Sequence, residues 1–270
     1  MTKSYHRSFL KWAGGKYRLL PYILPHLPVG KRLIEPFLGS GVIFLNTDYP
    51  SYKLNDTNKD LINLYKILKT EKSDFINHAA KYFDQKYNHP DAYYLLRNQF
   101  NTSKDIYERA LLFLYLNRHG YNGLCRYNKQ GKYNVPFGHY TKPYFPADEM
   151  AYFYHKAKKA TFTCTNFTTS IKKGRQGDII YCDPPYVPLS KTAHFTHYYQ
   201  HGFSMKQQEE LATMAKNLQQ EKVKILISNH HTPLTEKLYA PAKIFAFEVQ
   251  RNISCKGYKR TKVRELLAQF

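Results

Sequence analysis

The chain has 270 residues, of which 43% are hydrophobic, and its 41 Lys and Arg against 20 Asp and Glu give a formal net charge of +21. A chain this basic is typical of a protein that binds a polyanion, and nucleic acid is a better candidate than a membrane surface because the charges are spread along the sequence. The longest apolar run is too short to span a bilayer, and the first fifteen residues lack the apolar core of a signal peptide, so we expect a cytoplasmic protein.

The four cysteines give no metal or disulfide pattern. Cys125, Cys164, Cys182 and Cys255 lie far apart, and none forms a C-x-x-C pair. We therefore expect free thiols and no zinc site.

The first structured stretch runs from Phe9 to Lys16 and holds the only tryptophan, Trp12. Its Gly-Gly-Lys is not a phosphate-binding loop, because Tyr17 stands where such a loop needs Ser or Thr. Trp12 is either ordinary core or a cover for an aromatic cofactor ring, with Lys16 placed against a carboxylate. A helix interrupted by prolines is predicted over residues 16–27.

A strand, a glycine turn and a helix start follow, which is the first unit of a nucleotide-binding sheet. The strand is Arg32–Glu35, and Gly39 and Gly41 would let the backbone pass close to a ligand. The next predicted strand ends at Asp56, where an acid often binds ribose hydroxyls. Asp56 could also be the N-cap of the helix that begins near Asn58, and both roles can hold at once.

Residues 58–117 predict helices with no strand between them, which leaves the alternating α/β rhythm. Residues 117–144 are basic and dense in Tyr, Asn and Gly, with a β-hairpin predicted over 126–133. So many aromatic residues in a polar segment favour nucleic-acid contact over a solvated loop.

The α/β rhythm then returns. A helix is predicted over 151–160 and a helix with a Ser204 N-cap over 204–220, with a candidate lid loop at 187–203 between them. The remaining strands are predicted at 161–165, 178–182, 223–227, 243–249 and 263–267.

The strand at 178–182 runs into Asp183-Pro184-Pro185-Tyr186. Proline donates no hydrogen bond, so a carboxylate and the Pro184 carbonyl can both accept hydrogens from one planar amine. Tyr186 offers a face for stacking. This pattern suits the exocyclic amine of a nucleobase swung out of its helix, whereas the alternative is a simple strand-ending turn.

The glycine turn, the acid and this motif all follow strands, where doubly wound sheets bind ligands. Together they describe an amino methyltransferase. The segments FLKWAGGK, IEPFLGSG, LNRHGYNGLCRYN, NVPFG and YCDPPY closely resemble motifs of the Dam family of DNA adenine-N6 methyltransferases. The resemblance implies a Rossmann-like class I S-adenosylmethionine-dependent methyltransferase sheet whose last strand is inserted antiparallel. It also implies a catalytic domain at 1–57 and 146–270, with a mostly helical target-recognition domain, carrying the hairpin, inserted at 58–145.

The resemblance also implies roles for individual residues. Asp183 and the Pro184 carbonyl would accept hydrogen bonds from the target adenine, with Tyr186 stacked on it. S-adenosylmethionine, with S-adenosylhomocysteine as product, would contact Trp12, Lys16, Phe37, Gly39, Gly41, Asp56, Asn166, Phe167 and Asp183. DNA would contact Lys11, Tyr121, Asn122, Leu124, Arg126, Asn128, Pro136 and Tyr140.

Within this DNA-contacting set, Arg126 would read a guanine of GATC, and Tyr121 and Asn122 would enter the gap left by the flipped base. Two positions depart from the family pattern, His139 where a basic residue is expected and Phe167 where a tyrosine is expected. The first departure puts a phosphate contact in doubt.

The resemblance implies double-stranded DNA containing GATC as the partner, without a metal, a membrane or an obligate protein partner, and a monomer at the nucleoid. It leaves open whether the mark serves DNA replication, mismatch repair or gene expression. One alternative is the same chemistry on another DNA site, as a restriction system's partner, or on RNA. The other is a silent DNA-binding regulator, which need not keep both the glycine turn and the Asp-Pro-Pro-Tyr motif.

Overall fold

The computed structural model describes residues 4–186, 203–250 and 262–270. Its strands are β1 (Arg32–Glu35), β2 (Ser51–Asn55), β3 (Ala160–Thr163), β4 (Asp178–Cys182), β5 (Lys224–His230), β6 (Lys243–Gln250) and β7 (Lys262–Gln269). All the strands predicted from the sequence are confirmed, with small shifts at their ends.

The seven strands form one mixed sheet in the order β3-β2-β1-β4-β5-β7-β6. β1 pairs with β4, β2 with β3 and β4 with β5, all in parallel. β7 is antiparallel to both β5 and β6. The expected insertion of the last strand in antiparallel orientation is therefore confirmed, and with it the α/β methyltransferase fold.

The helices are α1 (Leu20–Ile23), α2 (Val42–Leu45), α3 (Lys59–Thr70), α4 (Lys72–Ala80), α5 (Pro90–Thr102), α6 (Ile106–His119), α7 (Ala147–Ala157), α8 (Phe167–Ile171), α9 (Met205–Gln220) and α10 (Pro233–Leu238). The helix predicted over 16–27 consists of α1 with a 3-10 turn on each side, as its prolines lead one to expect. The helix predicted over 151–160 extended too far, since Ala160 begins β3. Ser204 caps α9 in a capping box with Gln207, as predicted.

The chain divides into two compact units. One comprises Met1–Pro21, Leu38–Asp48 and Tyr52–Cys164, and the other comprises Tyr22–Phe37, Tyr49–Ser51 and Thr165–Phe270. In the first, α6 is buried from Ala110 to His119. In the second, apolar side chains of β4, β5, β7 and α9 form a continuous core. The domain boundaries at 58 and 145 stay a prediction.

No helix within the described ranges is both long and apolar enough to cross a membrane. Residues 187–202 of the predicted lid loop lie outside those ranges, as does Cys255.

Candidate active site

The Asp183-Pro184-Pro185-Tyr186 segment follows β4 directly and is held by hydrogen bonds from neighbouring side chains. Asp183 Oδ1 accepts a hydrogen bond of 2.9 Å from the Ser228 hydroxyl. The Pro185 carbonyl accepts one of 2.8 Å from Gln208 Nε2. Both donors are buried. These two hydrogen bonds hold the motif in place at the end of β4.

Tyr186 is fixed at both ends of its ring. Its hydroxyl donates to Glu265 Oε2 at 3.0 Å, and its ring meets that of His230 edge-on with centroids 4.6 Å apart. Burial, with the carboxylates of Asp183 and Glu265 nearby, raises the pKa of Tyr186 well above its ordinary value. The residue is therefore a neutral donor, and its ring plane is set before any base arrives.

Three phenylalanines of the same unit form an aromatic cluster. The rings of Phe37 and Phe167 stack with centroids 5.4 Å apart, and Phe203 meets both of them edge-on. Phe167 is only 3% exposed, so Phe37 offers the more accessible ring. Exposed Asn166 caps α8 through a hydrogen bond from the Thr168 N–H.

The glycine turn and Asp56 are joined directly. Gly39 and Gly41 have φ angles of +50° and +68°, a region that favours glycine. Asp56 Oδ2 accepts from the Gly39 N–H and Oδ1 from the Asn58 N–H, each at 2.9 Å. The N-cap role predicted for Asp56 was wrong, because Asn58 is the N-cap of α3.

Asp56 is held by backbone donors in a partly exposed position. Burial raises the pKa of its carboxyl, and the N–H groups of Asn58, Gly39 and Thr57 oppose that shift. Each carboxylate oxygen has a second lone pair, so both can accept further hydrogen bonds from a diol.

Trp12 lies against the same turn. A Cβ added to Gly39 would lie 2.9 Å from Trp12 Nε1, which is closer than side chains tolerate. Tyr65 donates to the Gly39 carbonyl at 2.8 Å, so the turn has a contact on each side. Lys16 is 8% exposed, and its Nζ donates to the Gly14 carbonyl at 3.0 Å.

Replacing Gly39 by alanine should lower the free energy of unfolding more than the same change at Gly131. Both glycines have positive φ, but a Cβ at Gly131 meets nothing within 4 Å. The left-handed backbone costs about 1–2 kcal/mol in either variant. The clash with Trp12 adds about 1–3 kcal/mol for Gly39→Ala alone. Urea unfolding followed by the emission of the single tryptophan measures both variants, and equal losses would contradict the contact.

The predicted recognition segment, residues 117–144, presents side chains of two kinds. Tyr121 is 49% exposed, and exposed Asn122 has a φ of +52°. The Tyr121 N–H donates to the Pro136 carbonyl at 2.9 Å, and the Asn122 N–H donates to the Tyr140 hydroxyl at 3.0 Å. These bonds hold a Tyr-Asn step that points away from the core.

The hairpin predicted at 126–133 is confirmed in a minimal form, with a single antiparallel bridge between Tyr127 and Tyr133. Arg126 is exposed, and its Nε and Nη2 donate to the side-chain and backbone oxygens of Asn134 at 2.7 and 3.1 Å. These bonds occupy one edge of the guanidinium. The outer Nη1–Nη2 edge has no hydrogen-bond partner in the described part of the chain, so it can donate two parallel hydrogen bonds.

Lys11 lies over the ring of Tyr140, with Nζ 3.6 Å from the ring centroid, and donates to the Arg118 carbonyl at 3.3 Å. Its backbone N–H and carbonyl are both bound by Asn117, at 2.9 and 2.7 Å. Burial and the positive charge of Arg118 lower the pKa of Lys11 to about 8.

The other predicted DNA-contacting residues lie on or near the same segment. Leu124 is partly exposed and Pro136 exposed, as apolar contacts require. Asn128 Oδ1 accepts from the N–H groups of Gln130 and Lys132, so this side chain shapes the hairpin turn.

Sequence reasoning missed the residues that brace the predicted site. They are polar side chains that bind a predicted functional residue or its neighbour. Tyr181, Gln208, Ser228, Glu265 and Asn117 are buried, and Asn134 is partly exposed. The polar run Ser228-Asn229-His230 at the end of apolar β5 is the sequence signal that could have indicated Ser228. In the described ranges no three His, Cys, Asp or Glu residues gather as a metal site would require.

Comparisons with known proteins identify the family to which the chain is similar. The family model for D12 class N6 adenine-specific DNA methyltransferases matches residues 12–253. The DNA adenine methylase of Serratia marcescens is 52% identical over 266 residues, covering 98% of each chain. That of Escherichia coli K12 is 49% identical over 265 residues, covering 98% of this chain and 95% of its own. A solved putative methyltransferase from Escherichia coli covers 94% of this chain and 82% of its own, at 11% identity and a TM-score of 0.34, too low to support a functional argument.

Proposed function

The chain belongs to the D12 class of N6 adenine-specific DNA methyltransferases, and we propose from that premise that it methylates adenine N6 within GATC, with S-adenosylmethionine as methyl donor. Adenine in DNA is the acceptor that membership of the family establishes. The proposal adds S-adenosylmethionine as the methyl donor and GATC as the DNA site. It also includes a monomeric enzyme whose recognition domain is residues 58–145. The observation that carries it is the Asp183 carboxylate, held at the end of β4 by Ser228.

The acceptor amine sets the chemical requirement. The N6 lone pair is delocalised into the adenine ring, so the amine is a weak nucleophile. Hydrogen bonds from its two hydrogens to Asp183 and to the Pro184 carbonyl favour a more tetrahedral nitrogen. In the described part of the chain no group donates to the Pro184 carbonyl, which supports this role. The contribution of both acceptors is positioning and fixed dipoles.

The target adenine must leave the duplex to reach Asp183. Tyr186 would stack on the extruded base with the ring plane that Glu265 and His230 already fix. Tyr121 and Asn122 would occupy the gap, since their backbone is held while their side chains are exposed.

The residues present fit the donor. A Cβ on Gly39 would lie 2.9 Å from Trp12 Nε1, and Gly39 and Gly41 both have positive φ, so the turn favours glycine at both positions. A turn without side chains there would let the donor lie close to the backbone. Asp56 would accept from the ribose hydroxyls, and Gly39 and Gly41 would pass beneath the methionine part. Trp12 and Lys16 would also contact the donor. Asn166, Phe37 and Phe167 would lie near the adenine ring. When bound, the donor supplies a methyl group activated by its sulfonium, so the transfer needs no metal.

DNA reading divides between base and backbone contacts. Arg126 would donate from its outer edge to O6 and N7 of one guanine, and Leu124 and Pro136 would make apolar contacts. Lys11 would reach the first base pair of the GATC site, and Tyr140 and Asn128 would contact the DNA on either side of the site. The charge of +21 supports the salt-dependent part of the affinity.

Raising the pH from 7 to 9 should weaken DNA binding through Lys11. Its pKa of about 8 means that the ammonium is mostly charged at pH 7 and mostly neutral at pH 9. At pH 9, one unit above this pKa, DNA binding must first return the proton to the Lys11 amine. This requirement lowers the affinity for DNA roughly tenfold. Lysines with ordinary pKa values stay charged over this range. Fluorescence anisotropy of a labelled duplex measures the effect, and Lys11→Met, which lacks the titrating group, is the control. An equal fall in both proteins would assign it elsewhere.

Nucleoside analysis tests the proposed function. Plasmid DNA free of N6-methyladenine is incubated with the protein and methyl-labelled S-adenosylmethionine, then digested. We expect the label in N6-methyldeoxyadenosine only. Label in another base would contradict the acceptor, and salt-sensitive DNA binding without label would favour the silent regulator.

A further inference from the structure

We propose that Ser228 and Tyr181 form a one-way hydrogen-bond chain that positions the Asp183 carboxylate for methyl transfer. This inference deepens the proposed function and rests on it. Neither residue belongs to the Asp-Pro-Pro-Tyr motif.

The sheet register brings Ser228 beside the motif. β4 and β5 run parallel, and the last paired residues of that ladder are Cys182 and Ile227. β5 continues for three more residues, where it pairs with β7. The first of the three, Ser228, therefore lies next to Asp183, the residue after β4. Ser228 is 1% exposed, so no water competes for its hydroxyl.

The direction of the chain follows from the number of protons. The Ser228 hydroxyl lies 2.9 Å from Asp183 Oδ1 and 3.4 Å from the Cys182 carbonyl, and it has one proton to donate. The shorter contact to a charged acceptor takes that proton. Ser228 Oγ then accepts from the Tyr181 hydroxyl, 3.1 Å away. Burial raises the pKa of Tyr181 far above the working range, so Tyr181 stays a donor.

A fixed carboxylate matters because transfer depends on the direction of the N6 lone pair. A carboxylate free to rotate about χ1 and χ2 would still accept from the amine, but in many orientations. Tyr181 is 2% exposed and packed in β4, so it supplies an anchor that does not move with the ligand. Hydrogen bonds along such a chain also strengthen one another.

Single-turnover methyl transfer, with enzyme in excess and the donor saturating, tests the chain. We expect Ser228→Ala to slow transfer by about 10- to 100-fold, because a reacting group is loosened and not removed. The dissociation constants for duplex and donor should stay within about twofold, since the contact acts on the chemical step. Base extrusion, followed by a 2-aminopurine at the target position, should be retained. A purely structural defect would change these binding readouts as well.

Three further variants make the test sharp. Ser228→Thr keeps the hydroxyl and should recover most of the rate. Tyr181→Phe should slow transfer less than Ser228→Ala and add nothing in the Ser228→Ala background, because both act through one bond. Ser170→Ala is the matched control: this serine is also 1% exposed, and its hydroxyl has no hydrogen-bond partner in the described ranges.

The outcomes separate this inference from the proposed function. Wild-type transfer by Ser228→Ala, with Asp183→Ala inactive, would overturn the chain and leave the function intact. Additive effects of Ser228→Ala and Tyr181→Phe would overturn the series arrangement. Transfer by Asp183→Ala would instead overturn the role of Asp183 and with it the proposed mechanism.

Discussion

Asp183→Ala should lose methyl transfer by at least about 10²–10³-fold, the loss typical when a preorganised group that stabilises a transition state is removed. The carboxylate is the only charged acceptor of the Asp-Pro-Pro-Tyr motif, and the Pro184 carbonyl alone cannot orient both hydrogens of the amine. Rates are measured under single-turnover conditions with labelled donor. Duplex affinity should stay near that of the wild type, because the phosphate contacts lie on other residues.

Two controls bound this result. Asp183→Asn keeps one carbonyl acceptor but puts a donor in place of the other oxygen, so its loss should be smaller than that of Asp183→Ala. The 2-aminopurine signal should show that the base is still extruded in both variants. Equal loss of transfer and of duplex binding would contradict the assigned role and indicate a folding defect.

Arg126→Ala should relax discrimination at one guanine of the site by about 1–3 kcal/mol, the value of a bidentate contact to a base edge. Asn134 holds the guanidinium by its inner edge, so the outer edge is oriented before DNA arrives. The measurement compares kcat/KM for GATC with kcat/KM for a duplex in which that guanine is replaced.

Lys132→Ala is the matched control for Arg126. It removes a positive charge from an exposed position of the same hairpin. It should weaken binding to every duplex by a similar factor and reduce the salt slope by about one. Unchanged discrimination in Arg126→Ala would move guanine reading to another residue.

The strands could be predicted from the sequence because each is a short hydrophobic run, and those at the candidate site are followed by glycine or proline residues. β1 ends before a glycine turn, and β4 ends at two prolines, so sequence alone placed Gly39, Gly41 and Asp183 at strand ends. The bounds of α7 were predicted less well, because no such ending marks it: the helix was predicted over 151–160 but runs from Ala147 to Ala157, and Ala160 begins β3.

The supporting contacts could not be predicted, because they depend on register between distant segments. Ser228 is 45 residues from Asp183, and only the pairing of β4 with β5 brings them together. Asp56 is a second residue whose contacts could not be predicted from the sequence. Its sequence position suits an N-cap, but in the fold its carboxylate lies beside the glycine turn and accepts a hydrogen bond from the Gly39 N–H. Asn58 caps α3 instead.

Transfer of labelled methyl from S-adenosylmethionine to two matched duplexes tests the central claim most directly. One duplex contains a single GATC and the other contains the same bases scrambled. Label in the first alone is the result we expect, because it would establish donor, acceptor and site together. Equal label in both would contradict GATC specificity, and label in neither would contradict the proposed reaction.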